Sequence, residues 1–151
     1  VKKVLEKIVQ DSLVCVDLHV KDWKEAIKKS ALLLLNDGDI TASYIDGIFE
    51  SVKEFGPYFV IAPHVALAHA PSEDGAKKLA LGVTVLATPV NFHSKDNDPV
   101  KYIFTLSSPD SSSHLEAMKE LVDLLSDPSF YSKLDNARSP HEVVNVMTSK
   151  S

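Results

Sequence analysis

The apolar residues of this chain change period several times, and that constrains its fold more than any other feature. Val4, Leu5, Ile8 and Val9 lie at helical spacing within residues 2–11. The run LVCVDLHV over 13–20 then has the β-branched, apolar character of a strand. Helical spacing returns after Asp22, through Trp23, Ala26, Ile27 and Leu34, with Glu25 three residues beyond Asp22 in a capping-box pattern. Asn36, Asp37 and Gly38 stop that helix. Another helix is expected over 41–55, with Ile45, Ile48, Phe49 and Val52 on one face and Gly56-Pro57 at its end. YFVIA and VALAHA follow as two short strands separated by Pro63 and His64. The polar loop PSEDGAKK leads into the strand LALGVTVLA, and the loop NFHSKDNDP into the strand VKYIFTLSS. The last third is helical, with capping boxes at Ser113/Glu116 and Ser139/Glu142 and Pro140 at a first helical position. The alternation, with no internal repeat and no low-complexity linker, predicts an α/β fold. One domain over residues 1–151 is expected to hold a mixed sheet of about four to five strands flanked by helices.

Composition narrows the function classes. At 151 residues the chain can bury a core without disulfide staples. Its net charge of −5 argues against broad nucleic-acid binding. The longest apolar run, Ala31–Leu35, falls far short of the roughly 20 residues of a membrane-spanning helix, so direct membrane insertion is not expected. The opening VKKVLEKIVQ lacks the continuous apolar stretch of a signal peptide. A single cysteine, Cys15, excludes an internal disulfide framework and a Cys-rich zinc site, and its place in a strand makes it a small buried hydrophobe. Arg138 is the only arginine, which matters because arginine is the usual fork-shaped phosphate clamp.

Chemistry must then come from the histidines: His19, His64, His69, His93, His114 and His141. None has the spacing of a common zinc motif, and period-two alternation puts His64 and His69 on opposite faces of a regular strand, so no metal site is expected. His69 ends the apolar segment VALAHA and opens onto a polar loop, where α/β sheets commonly place reactive groups. A neutral imidazole there can attack phosphorus, although the residues alone suit a strand-end histidine bonded to backbone more readily. His114 follows SSS. With Ser113 as N-cap, His114 falls at the first position of a helix, whose free N–H groups and dipole attract phosphate. The hydroxyls of Ser112 and Ser113 complete that candidate seat; the alternative is an ordinary capped helix start. Asp96 and Asp98 in KDNDP suit a solvated turn, as do Glu73, Asp74 and Gly75, and Lys77-Lys78 suits a solvated loop face. No phosphate-cradling Gly-rich loop, nucleophile elbow or H-E-x-x-H is present in the sequence.

At VALAHAPSEDGAKK the sequence resembles the enzyme IIA components of the mannitol–fructose class of bacterial sugar phosphotransferase systems, most closely the ascorbate branch. His69 takes the place of that family's phosphorylated histidine, Ala70 that of a small residue, and Glu73, Asp74 and Gly75 match its acidic loop. Phe55 to Pro63 resembles the family's HGPYFVLAP, and Asp96 to Val100 with His114 matches its downstream DNDPV and later histidine. The likeness runs from about 2 to 149. It implies a cytoplasmic phosphocarrier that takes a phosphoryl group from phosphorylated HPr on His69, with His114 stabilising the group, and passes it to a cysteine of a IIB domain or subunit. The sugar implied is ascorbate or a related one. No metal or organic cofactor is implied, and a homodimer stays open. In two places the sequence departs from the pattern. Ala68 replaces the family's proline, and Pro71 replaces its arginine, which leaves charge neutralisation to His114, backbone N–H groups and Lys77 or Lys78. These departures keep a second reading alive, a regulatory relative whose phosphorylation state controls a partner instead of feeding transport.

Overall fold

The computed structural model describes residues 4–148, so Lys2 and Lys3 of the first expected helix lie outside the described residues. The elements are α1 (Val4–Ile8), a 3-10 turn at Asp11–Leu13, β1 (Val14–Leu18), α2 (Trp23–Asp37), α3 (Ala42–Phe55), β2 (Val60–Ala62) and β3 (Val65–Ala68). They continue with β4 (Ala80–Val90), β5 (Val100–Ser107), α4 (Ser111–Leu125), α5 (Pro128–Asn136) and α6 (Pro140–Thr148). The five strands form one mixed sheet in the order β1-β4-β5-β3-β2, as the alternation predicts. β1 runs parallel to β4, and β3 parallel to β5, while β4 and β5 are antiparallel. The two parallel pairs therefore point in opposite directions, and the carboxyl ends of β3 and β5 lie together at one pole.

Strand β3 shows why the sheet needs helices on both sides. All four of its residues are buried. Ala66 and Ala68 enter the core shared with α2 and α3, which contains Ile27, Leu34 and Ile48. Val65 and Leu67 enter the opposite core with Leu121 of α4, Leu134 of α5 and Val143 of α6. A strand covered on both faces carries a continuous apolar run, and VALA is such a run.

Helix ends follow local chemistry. Asp22 caps α2 by accepting the Glu25 N–H at 2.9 Å, and the Glu25 carboxylate accepts the Lys21 N–H at 2.9 Å. Gly38, at φ 85°, closes α2 in the left-handed conformation that glycine takes without a Cβ penalty. Ser139 accepts the Glu142 N–H at 3.3 Å, with Pro140 first in α6.

Three expectations are corrected. Helix α4 begins at Ser111, not after Ser113. Its N-cap is Asp110, whose Oδ1 accepts the Ser113 N–H at 2.7 Å while Oδ2 accepts the Ser113 hydroxyl at 3.2 Å. A carboxylate is the stronger acceptor at a helix N-terminus, so it wins over the hydroxyls that follow. The Ser113/Glu116 box is therefore not formed, and His114 sits one turn into the helix, its N–H bonded to the Asp110 carbonyl at 3.3 Å. The strand pair around His64 is also shorter than expected. His64 occupies the turn between β2 and β3 at φ 70°, so it stands at the opposite end of β3 from His69, and face alternation does not apply. Cys15 is half-buried, not buried, and burial pushes its thiol up from the ordinary value.

Candidate active site

The site assembles at the carboxyl ends of β3 and β5. Leu67 pairs with Phe104 and Ala68 with Thr105, so the chain leaves both strands at the same level. Beyond β3 comes His69; beyond β5, three residues reach the start of α4. Alternation along β3 gives His69 the face of Val65 and Leu67, which is the face that packs against α4. That is how His69 and His114, 45 positions apart in sequence, meet with ring centroids 5.9 Å apart.

His69 is held from three directions. Its Nδ1 lies 2.9 Å from the Leu67 carbonyl oxygen. That oxygen can only accept, so Nδ1 carries the proton of the neutral ring and Nε2 keeps its lone pair. The Tyr58 ring meets the imidazole edge-on at 5.3 Å, and the Tyr58 hydroxyl donates to the His69 carbonyl at 2.7 Å. Behind them, buried Tyr44 accepts the Ala70 N–H at 3.1 Å and donates to the Leu106 carbonyl at 2.8 Å, tying the exits of β3 and β5 together. Burial pushes the Tyr44 phenol up to about 12, so it stays protonated as this bridge requires.

A cleft of about 450 Å³ opens over His69. His114, Tyr58, Phe55, Ser111 and Asp110 are among its walls. Ser112 and Ser113 do not line it: Ser112 is exposed, and Ser113 is engaged with Asp110. Burial, then the neighbouring His69, pull the His114 imidazole below its ordinary range, so it is neutral near pH 7. Among the described residues no lysine or arginine lines the cleft. Arg138 lines a separate pocket with Lys101. That pocket includes Asp17 and Leu86, from the opposite pole of the sheet.

Ala70, Pro71 and Ser72 directly after His69 line the cleft, and the acidic part of the loop beyond them docks on the start of α3. The Ser43 hydroxyl donates to the Asp74 carbonyl at 2.7 Å, and the Thr41 N–H to the Gly75 carbonyl at 3.0 Å. Gly47 lacks the Cβ that would collide with the Asp74 side chain, and Gly75 adopts φ 136°. Asp98 likewise supports the backbone, since its carboxylate accepts the Phe92 and Ser94 N–H groups, each at 2.8 Å. His64 is exposed and its Nδ1 donates to the Pro99 carbonyl at 2.7 Å. His19, His93 and His141 are exposed and do not line the cleft.

Residues 7–150 match the family model for the phosphoenolpyruvate-dependent sugar phosphotransferase system, EIIA 2. The chain belongs to this family. The ascorbate-specific PTS system EIIA component of Escherichia coli is 30% identical over 146 residues, covering 96% of this chain and 95% of that protein. The solution structure of the mannitol-specific cryptic phosphotransferase enzyme IIA CmtB from Escherichia coli superposes with a TM-score of 0.85 at 34% identity, covering 95% of this chain and 97% of that one. Nitrogen regulatory protein IIA-Ntr from Neisseria meningitidis superposes with a TM-score of 0.82 at 25% identity, covering 97% and 100%. As a sugar phosphotransferase EIIA component, the chain has a phosphocarrier role, and its paired histidines stand at a cleft where a buried tyrosine bridges the ends of two parallel strands. No described helix of this EIIA is long and apolar enough to cross a membrane.

The sequence points to both histidines but not to Tyr44, Tyr58 or Asp110. Tyr44 stands four residues before Ile48 on the apolar stripe of α3, a position that marks it as inward-facing. Nothing local reveals that its hydroxyl spans two strand ends.

Proposed function

We propose that this EIIA component takes a phosphoryl group from phosphorylated HPr onto Nε2 of His69 and passes it to a cysteine of a IIB domain or subunit, in the cytoplasm. Ascorbate or a related sugar is the cargo of the system, by likeness to the ascorbate-specific EIIA component. The observation that carries the proposal is the Nδ1–H bond to the Leu67 carbonyl, which leaves Nε2 as the ring's nucleophile beside His114.

The chemistry needs alignment and charge stabilisation more than covalent help. Nε2 attacks phosphorus in line with its lone pair as the N–P bond of the donor breaks, and the donor imidazole keeps the bonding pair. Nδ1 retains its proton during the step. Its bond to a carbonyl keeps that proton on the ring, so in the next transfer the N–P bond breaks with its pair going to Nε2 and the ring departs as a neutral imidazole. His114, neutral beforehand, donates an N–H to a phosphoryl oxygen. Ser111 adds a hydroxyl from the cleft wall, while Ser112 and Ser113 act one step back by holding the Asp110 carboxylate.

Phosphoenolpyruvate, enzyme I and HPr should label the wild type, and a IIB protein should discharge it. His69→Ala should take no label, and His114→Ala should transfer about ten- to a hundredfold more slowly. Label that persists in His69→Ala would overturn the assignment. The likeness to nitrogen regulatory protein IIA-Ntr supports a second reading, control of a partner by the phosphorylation state. Stable labelling of His69 with no discharge to any IIB would select it.

A further inference from the structure

The two parallel strand pairs open at opposite poles, and the pole away from His69 holds a cleft of its own. Its volume is about 300 Å³, and it lies toward the carboxyl ends of β1 and β4, beside the start of β5 and the α5–α6 turn. Carboxyl ends of parallel strands are where α/β sheets commonly receive ligands. Here both ladders of β4 lose their register at the same level. On one side Val16 and Asp17 stand opposite Val85 alone, between the pairs Cys15–Thr84 and Leu18–Leu86. On the other side Leu86 to Pro89 stand opposite Lys101 alone, between the pairs Val85–Tyr102 and Val90–Val100. Irregularities of this kind re-aim side chains and recur beside binding sites. Asp17 takes the left-handed conformation, at φ 53°, which aspartate is one of the few residues to adopt.

The charges on the cleft wall are not all matched. Lys101 and Asp135 neutralise each other at 2.8 Å, and the Tyr102 hydroxyl also donates to Asp135 at 2.7 Å. Asp17 and Arg138 are left over. Both line the cleft and are exposed, and among the described residues neither side chain forms an ion pair with the other or with any third group. Arg138 is held through its backbone instead, its N–H donating to the Glu142 carboxylate at 3.2 Å. From two opposite charges that share one cleft without meeting, at a break in the sheet, we propose that this pocket binds a free amino acid. The Arg138 fork takes the carboxylate in bidentate fashion, and Asp17 takes the ammonium group. A simple carboxylate would be repelled by Asp17 and a simple amine by Arg138, whereas a zwitterion satisfies both. The apolar wall of Val16, Ala87 and Ala137 suits a short aliphatic side chain such as that of alanine or valine.

Titration of the whole chain with L-alanine and L-valine tests this, followed by proton–nitrogen-15 correlation spectra at constant ionic strength. The backbone signals of Asp17, Ala87 and Arg138 should shift saturably, with half-saturation at about 1 mM or below for the better ligand. Acetate and methylammonium, supplied together as separate ions, should need about tenfold more, because neither carries the other into place. Asp17→Asn keeps a residue that tolerates the left-handed backbone, and Arg138→Gln keeps the backbone bond to Glu142. Each variant should weaken binding about tenfold. No saturable shift with either amino acid up to about 20 mM overturns the proposal. So does acetate alone binding as well as valine, or a loss in Arg138→Gln that Asp17→Asn does not share, since the site would then be one for carboxylates only. Shifts centred on Tyr58 and His114 would place the ligand in the histidine cleft and overturn it as well.

Discussion

At the scale of single residues, His69 and His114 are two imidazoles with different duties, set by what each ring nitrogen can reach. His114 is drawn below its ordinary range by burial first and by His69 second. An NMR titration should therefore find it below about 6.5 in the resting protein. A phosphoryl dianion on His69 should reverse the neighbour's effect and raise the His114 value; a midpoint that stays put would count against their contact. The same shift has a thermodynamic sign. Because the folded state resists protonating His114, stability should fall as pH drops through about 6.5 toward the lower folded value, and His114→Gln should flatten that slope. Tyr58→Phe removes the bond to the His69 carbonyl but keeps the ring contact. It should cost about 1 kcal/mol in denaturant unfolding and slow transfer less than tenfold. Both histidines are legible in the sequence as chemistry-bearing groups. The tyrosines are not, because their hydroxyls join backbone carbonyls that lie far from them along the chain, up to 62 positions for Tyr44 and Leu106.

At the scale of elements, the start of α4 decides the shape of the site. The run Asp110 to Ser113 offers four good capping residues in a row, so spacing rules alone cannot choose among them. The carboxylate wins, and as a result His114 faces the cleft from the end of the first turn and not from the helix tip. Asp110→Ala should lower the melting temperature measurably more than Ser113→Ala, and a reversed order would mean that the hydroxyl carries the cap. Where one acidic or hydroxyl residue stands alone before a helical pattern, as at Asp22 and Ser139, local spacing suffices to place the helix start. The acidic loop after His69 reads as a solvated turn from its residues. Its backbone ties to Thr41 and Ser43 are invisible at that level because they require knowing that α3 lies beneath it.

At the scale of the whole molecule, two parallel strand pairs of opposite direction share one antiparallel seam, β4–β5. The periods along the chain announce the layers, but not this pairing. Strand order is fixed by contacts between segments such as β3 and β5, which are separated by the whole of β4. The fold also carries a buried electrostatic cost away from the site. Asp39 is 4% exposed, and its Oδ2 has no hydrogen-bond partner among the described residues. Burial, then the adjacent Asp37, push its carboxyl up to about 6. The folded state thus favours the protonated form, and Asp39's contribution should weaken as pH rises from about 4 through 6. Asp39→Asn should raise the melting temperature by a few degrees at pH 8 and by less at pH 5. Equal gains at both values would point away from its charge. The fold binds Nδ1 of His69 to the Leu67 carbonyl and leaves Nε2 free. Phosphorus-31 and nitrogen-15 correlation spectroscopy of the phosphorylated, histidine-labelled protein tests it directly. The expected spectrum shows phosphorus coupled to Nε2 of His69, and coupling to Nδ1, or to any other histidine, would contradict it.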